Sequence, residues 1–163
     1  MKYYIICIFV LVLFFSTCSA AQNKPTWMNA IEKSIKQKET NWKIGNISEK
    51  ADEGGYQYYC VVNANGSQAV FEINWLKDVP NLSETFEGHV TIFDNLSGKN
   101  TKKAKIKDFG DEGYIWFSAN ESNWSKLYFR KKDIFVKIHF LSIRTDAEIT
   151  GRKIAQHILE QLP

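Results

Sequence analysis

The chain has 163 residues, 44% of them hydrophobic and 14% aromatic, with a formal net charge of only +3. That length suits one domain with a buried core. Acids and bases are interspersed along it, which excludes the basic stripe expected of a nucleic-acid-binding domain and suggests a solvated surface.

The first element is a targeting segment. Lys2 precedes an unbroken apolar run from Ile5 to Phe15, and the small residues Ser16, Thr17, Ser19, Ala20 and Ala21 follow. A short positive start, an apolar stretch of this length and a small-residue exit read as a signal peptide over residues 1–20, cleaved after Ala20 or Ala21. The run is too short to span a bilayer, which needs about 18 or more apolar residues. An uncleaved anchor is therefore disfavoured, and no transmembrane segment is expected once the signal is removed. Lipidation at Cys18 is disfavoured as well, because Phe15 and Thr17 stand where a lipoprotein signal usually has Leu and a small residue. The protein is read as exported, either periplasmic or secreted, with residues 21–163 as a single globular domain.

Removing residues 1–20 leaves 143 residues, with 20 Lys and Arg against 18 Asp and Glu. Cys60 is then the only cysteine, so no internal disulfide is expected and packing must hold the fold. Cys60 sits in the apolar run Tyr-Tyr-Cys-Val-Val, where a buried, inert thiol is the natural expectation. Asn-x-Ser triplets begin at Asn46, Asn65, Asn81, Asn95, Asn120 and Asn123. They are glycan acceptors in a eukaryotic secretory pathway. In a bacterium, which the Lys-, Asn- and Ile-rich usage suggests, they mark turns.

The elements then follow in order. Thr26, after Pro25, is a natural cap for a helix over 27–39, with Trp27, Ile31 and Ile35 on its apolar side. Strands are expected over 42–48, 56–62 and 69–76, with Gly54-Gly55 as one turn and Asn65-Gly66 as a hairpin turn. In the third strand Phe71, Ile73 and Trp75 alternate with Glu72 and Asn74, giving one buried and one wetter face. Residues 77–84 read as a loop and 86–93 (FEGHVTIF) as a further strand. In 101–109, Lys103, Lys105 and Lys107 alternate with Ala104 and Ile106, either as a basic strip for an anion or as a lysine-guarded edge strand. Strands over 114–119, 126–131 and 134–141 come next. A helix over 146–162 closes the chain, capped by Thr145 or Asp146, with Ile149, Ile154, Ile158 and Leu162 as its stripe. Strands clustered between terminal helices predict an α+β fold. Its antiparallel sheet would have six or seven strands, flanked by an N-terminal and a C-terminal helix.

No nucleophile elbow, phosphate loop, dinucleotide fingerprint or Cys/His metal spacing is present, so no catalytic residue, metal or cofactor is assigned. The acidic loop Asp108, Asp111 and Glu112 brackets Gly110 and Gly113. It could hold a cation or supply an acid/base pair, but lacks the ladder of a calcium loop, and a glycine-rich turn kept soluble by charge is the favoured reading. His89, His139 and His157 are far apart in sequence, and His139 alternates with Val136, Ile138 and Phe140 as if on an exposed face. The aromatic residues Tyr114 and Trp116, joined by Tyr56, Tyr58 and Tyr128, are the candidate ligand-binding set, because Tyr and Trp offer large area with a polar handle. A helix laid over the same face would instead make them core.

Residues 108–114 (DFGDEGY) lead into a strand, Leu127-Tyr128-Phe129-Arg130-Lys131 turns into Ile134-Phe135-Val136-Lys137-Ile138, and a helix with Ile154-Ala155-Gln156-His157-Ile158-Leu159 ends the chain. Over about residues 105–162 this resembles the tail of small exported or lipid-anchored bacterial domains with a PsbP-like fold. The resemblance implies a non-enzymatic binding, sensing or accessory domain and carries no functional residue with it. The expected function is an exported, non-catalytic binding domain for a small apolar ligand or a protein partner. The alternatives are an accessory or inhibitor protein acting by contact, and a hydrolase with an unrecognised site.

Overall fold

The computed structural model describes residues 24–52, 55–64, 67–76, 79–118, 124–141 and 147–163. The signal segment, Cys18, Asn65, Asn120, Asn123, Gly54 and the caps expected at Thr145 and Asp146 lie outside them. The elements are α1 (Thr26–Lys38), β1 (Trp42–Asp52), β2 (Gly55–Ala64), β3 (Ser67–Leu76), α2 (Leu82–Leu96), β4 (Thr101–Lys105), β5 (Glu112–Ser118), β6 (Trp124–Lys131), β7 (Ile134–Leu141) and α3 (Ala147–Leu159). The strands form one antiparallel sheet in the order β1-β2-β3-β7-β6-β5-β4. The fold is α+β, with helices at both ends of the chain and a third between β3 and β4.

Strand alternation sends side chains to two faces. On the first face Tyr58, Cys60, Phe71, Ile73, Ile115, Leu127, Phe129, Val136 and Ile138 pack beneath Met28, Ile31 and Ile35 of α1 and Ile154, Ala155 and Ile158 of α3. Gly151 lets α3 come close to the sheet, since a Cβ there would stand 3.0 Å from the Ser125 hydroxyl. Two details differ from the sequence reading. The residue preceding α1 is Pro25, and Thr26 lies inside the helix and caps nothing. Ile149 is 63% exposed, because Thr150 and Gly151 are the residues α3 turns inward at that end.

The larger correction is residues 86–93. They are not a strand but the middle of α2. Their β-branched and aromatic residues suit a strand, yet Leu82, Phe86, Val90 and Phe93 recur at helical spacing and seat the helix on the sheet. α2 lies on the second face. Phe86 stacks on Tyr114 at 6.2 Å and meets Phe135 edge-on at 5.4 Å, while Phe93 meets Trp116 at 5.0 Å and Tyr128 at 5.7 Å. Lys103 and Lys105 stand on β4, an edge strand. Lys103 bonds Asp94 at 2.6 Å and lies 4.3 Å from the Tyr114 ring, so this lysine serves the α2 seat as well as guarding an edge.

Phe86 is 2% exposed whereas Ile92, on the same helix, is 60% exposed. Phe86→Ala should therefore cost about 3–5 kcal/mol and Ile92→Ala no more than about 0.5 kcal/mol, as read from urea unfolding midpoints. Equal losses from the two would contradict the seating of α2.

Candidate functional site

The strand registers set the side chains of the second face in rows. One row runs Gln57, Asn74, Phe135, Arg130 and Glu112; the next runs Tyr59, Glu72, Lys137, Tyr128 and Tyr114; a third runs Val61, Val70, His139, Lys126 and Trp116. α2 rests on the right-hand end of every row as listed. Its acidic flank is tied to β5, because Tyr114 donates to Glu87 at 2.8 Å and the Trp116 indole to Asp94 at 2.6 Å. The opposite flank, one helical step round, carries Thr85, His89, Ile92 and Leu96. It faces the other half of the sheet, as the edge-on contact of His89 with Phe135 at 6.1 Å records. None of the ring contacts made by α2 reaches β1, β2 or β3.

Among the described residues no helix is seated on that half of the second face beyond Leu76, which packs against the α2 cluster. Tyr59 is 38% exposed there, and Leu141, which follows His139 on the same face of β7, is 62% exposed. Ile92 and Leu96, at 60% and 78%, rise beside it from α2. Glu72 is the polar hub of the floor. It accepts hydrogen bonds from Asn74 at 2.8 Å and Gln57 at 3.0 Å and pairs with Lys137 at 3.3 Å. Burial raises its carboxyl, but the Asn74 bond, the Lys137 charge and the Gln57 bond outweigh it and hold the group below the usual carboxylate range. His139 Nε2 lies 3.2 Å from the Tyr128 hydroxyl. Burial, and then the charge of Lys126, pushes the imidazole down to about 4, with Lys137 adding to the fall and Glu72 opposing it. The ring is thus neutral at pH 7.

The candidate residues do not form one set. Tyr114, Trp116 and Tyr128 are together under α2 and packed among its rings. Tyr56 and Tyr58 are on the first face, because Tyr58 stands opposite Ile73 and Tyr56 opposite Trp75. Their hydroxyls donate to Glu49 at 2.6 Å and Glu32 at 2.8 Å. Burial followed by Glu49 raises the Tyr56 phenol; for Tyr58 burial leads, then Cys60, then Glu32. Cys60 is a buried free thiol pushed up to about 11 by burial.

The acidic loop is structural in its contacts. Arg130 donates through Nη2 and Nε to Glu112 at 2.6 and 3.1 Å and through Nη1 to Asp111 at 3.3 Å. Asp111 also receives the Lys132 amide at 2.7 Å, and Ser83 donates to Glu112 at 2.6 Å. Gly110 has φ +64, and a Cβ there would meet the Arg130 carbonyl at 2.2 Å, so glycine is required for the turn to close on β6. Asp108 is exposed. Among the described residues no group of three His, Cys, Asp or Glu side chains could hold a metal ion, and no helix is long and apolar enough to cross a membrane.

Compared with protein-family models, curated proteins and solved structures, the chain matches none.

A histidine held at about 4 when folded and near 6.5 when unfolded binds its proton more readily in the unfolded state. Its contribution to stability is therefore complete above pH 6.5 and is lost as pH falls toward 4. Unfolding free energies measured between pH 7 and pH 4 should fall with pH, and His139→Gln should flatten that fall while leaving the loss below pH 4 from Glu72. An unchanged slope in the variant would contradict the placement of His139.

Proposed function

We propose that this protein is an exported, non-catalytic binding domain that works by contact with another protein, and that the contact surface is the bare half of the second face together with the flank of α2. The observation that carries the reading is that Tyr59, Leu141, Ile92 and Leu96, all more than a third exposed, stand on the same side of one sheet. Val61 and Val70, side by side in the third row, are half-buried among them. Exposed apolar side chains scattered singly call for no explanation, whereas a grouped set rimmed by polar groups is typical of protein contact sites. Gln57, Asn74, Glu72 and Lys137 supply that polar part and are already hydrogen-bonded to one another, so a partner meets a pre-ordered floor.

The titratable groups favour binding over catalysis. Glu112 is occupied by Arg130 and Ser83, Glu72 by three donors, and His139 is neutral against Tyr128. Each is accounted for by its structural partners, and the two hydroxyls among them, Ser83 and Tyr128, are engaged in those contacts. The resemblance of residues 105–162 to PsbP-like domains points the same way.

A photo-crosslinking phenylalanine derivative placed at Tyr59, at Ile92 and, as control, at Lys153 on the outer side of α3 tests this in the exporting host. The expected result is one discrete adduct, of the same mass from positions 59 and 92, and none from 153. No adduct from 59 and 92, or the same products from all three positions, would contradict the reading.

A further inference from the structure

Where α2 ends, a second feature adjoins the proposed contact surface and shares Leu96 with it. The C-terminal turn of α2, the Ser97-Gly98 bend, the start of β4 and the start of β6 enclose a cleft of about 230 Å³. Its walls include Phe93, Leu96 and Trp124, with Gly98 and Thr101 at one side and Lys126 at the other. The Lys126 ammonium lies 3.9 Å from the centre of the Phe93 ring, a cation–π contact, and it is half-buried. Other lysines at the helix–sheet seams of this molecule have carboxylates: Lys24 has Glu32 and Glu49, Lys38 has Glu160, Lys103 has Asp94 and Lys137 has Glu72. Among the described residues no carboxylate lies within ion-pairing distance of Lys126. Opposite it in register stand Trp116 and the neutral His139, neither of which offsets its charge. Burial lowers the Lys126 ammonium from its usual value, the direction expected of a cation that is partly desolvated with no anion beside it.

Removing a cation from water without a counter-charge is unfavourable, and one ring face offsets only part of that cost. An aromatic wall, an exposed leucine and an ammonium with no carboxylate beside it among the described residues form a site complementary to an apolar group that bears one negative charge. We propose that this cleft binds a small amphipathic carboxylate, with its apolar body against Phe93, Leu96 and Trp124 and its carboxylate accepting from Lys126. The volume is below the 300–1,000 Å³ typical of drug-sized ligands, so the ligand class is small: a single ring or a short acyl chain. This inference does not rest on the proposed protein contact, and either stands if the other fails.

The test titrates the full chain, as its cell processes it, with 3-phenylpropionate and with the neutral 3-phenylpropionamide, followed by the amide resonances of Gly98 and Thr101 and the indole N–H of Trp124. The acid is expected to shift these signals at least about tenfold more tightly than the amide. Lys126→Met, which keeps the apolar stem, should reduce the acid to the level of the amide, and Lys126→Arg should retain the preference. Unchanged resonances away from the cleft establish that each variant is folded. Acid and amide binding alike, no shift from either at millimolar concentration, or an unchanged preference in Lys126→Met would overturn the proposal.

Discussion

The seat of α2 on the second face is the contact from which the rest of the molecule's asymmetry follows. Phe86, Val90 and Phe93 meet Trp116, Tyr128 and Phe135 in an aromatic cluster, and two side-chain hydrogen bonds from Tyr114 and Trp116 to Glu87 and Asp94 fix the helix sideways toward β5. Large rings bury much apolar area, and edge-on pairs add geometric preference. Because the indole and phenol hydrogens are satisfied by carboxylates of the helix itself, the helix cannot slide toward β3 without leaving buried donors unpaired. The consequence is a sheet with α1 and α3 packed on one face and, among the described residues, α2 on only part of the other.

That half-roof decides which residues are available for binding. Aromatic side chains are the obvious candidates in this sequence, yet those under α2 are core, and Tyr56 and Tyr58 belong to the opposite layer. What remains accessible is modest in each part: Tyr59 on β2, Leu141 on β7, and the outward flank of α2. Their grouping matters more than any one of them. The Glu72 network beneath gives the surface a polar floor, and the neutral His139 stands on β7 beside Lys126 and Lys137 without adding a third positive charge.

Much of this was legible in the sequence. The alternation in 69–76 and the Ile31-Ile35 stripe appear where their periodicities place them, because each spacing answers to a single buried face, whereas 134–141 also buries Phe135 on the second face and the closing helix turns Ile154 and Ile158 inward but not Ile149. An edge strand was readable in 101–109 from its lysines, and β4 takes only Thr101–Lys105 of it. Residues 82–96 were not readable as a helix by residue type, since Phe, Val, Thr and Ile suit strands and Gly88 interrupts. Only the spacing of Leu82, Phe86, Val90 and Phe93 carried the signal, and its first member, Leu82, falls outside the apolar run at 86–93. The candidate site was least legible. Glu72, Asn74, Lys137 and His139 were visible as wet-face residues of their own strands, but β3 and β7 are 65 residues apart at Glu72 and Lys137, and no local pattern reports that register. Lys126 was invisible as a special lysine, because lacking a carboxylate is a property of three-dimensional surroundings.

The most direct test of this account is a set of nuclear Overhauser contacts in the folded chain. The account predicts contacts from the Phe86 and Phe93 ring protons to Trp116 and Tyr128, helical contacts through residues 82–96, and none from α2 to Tyr59 or Val61. Strand-type contacts through 86–93, or contacts from Ile92 to Tyr59 and Val61 that close the bare half-sheet, would contradict it.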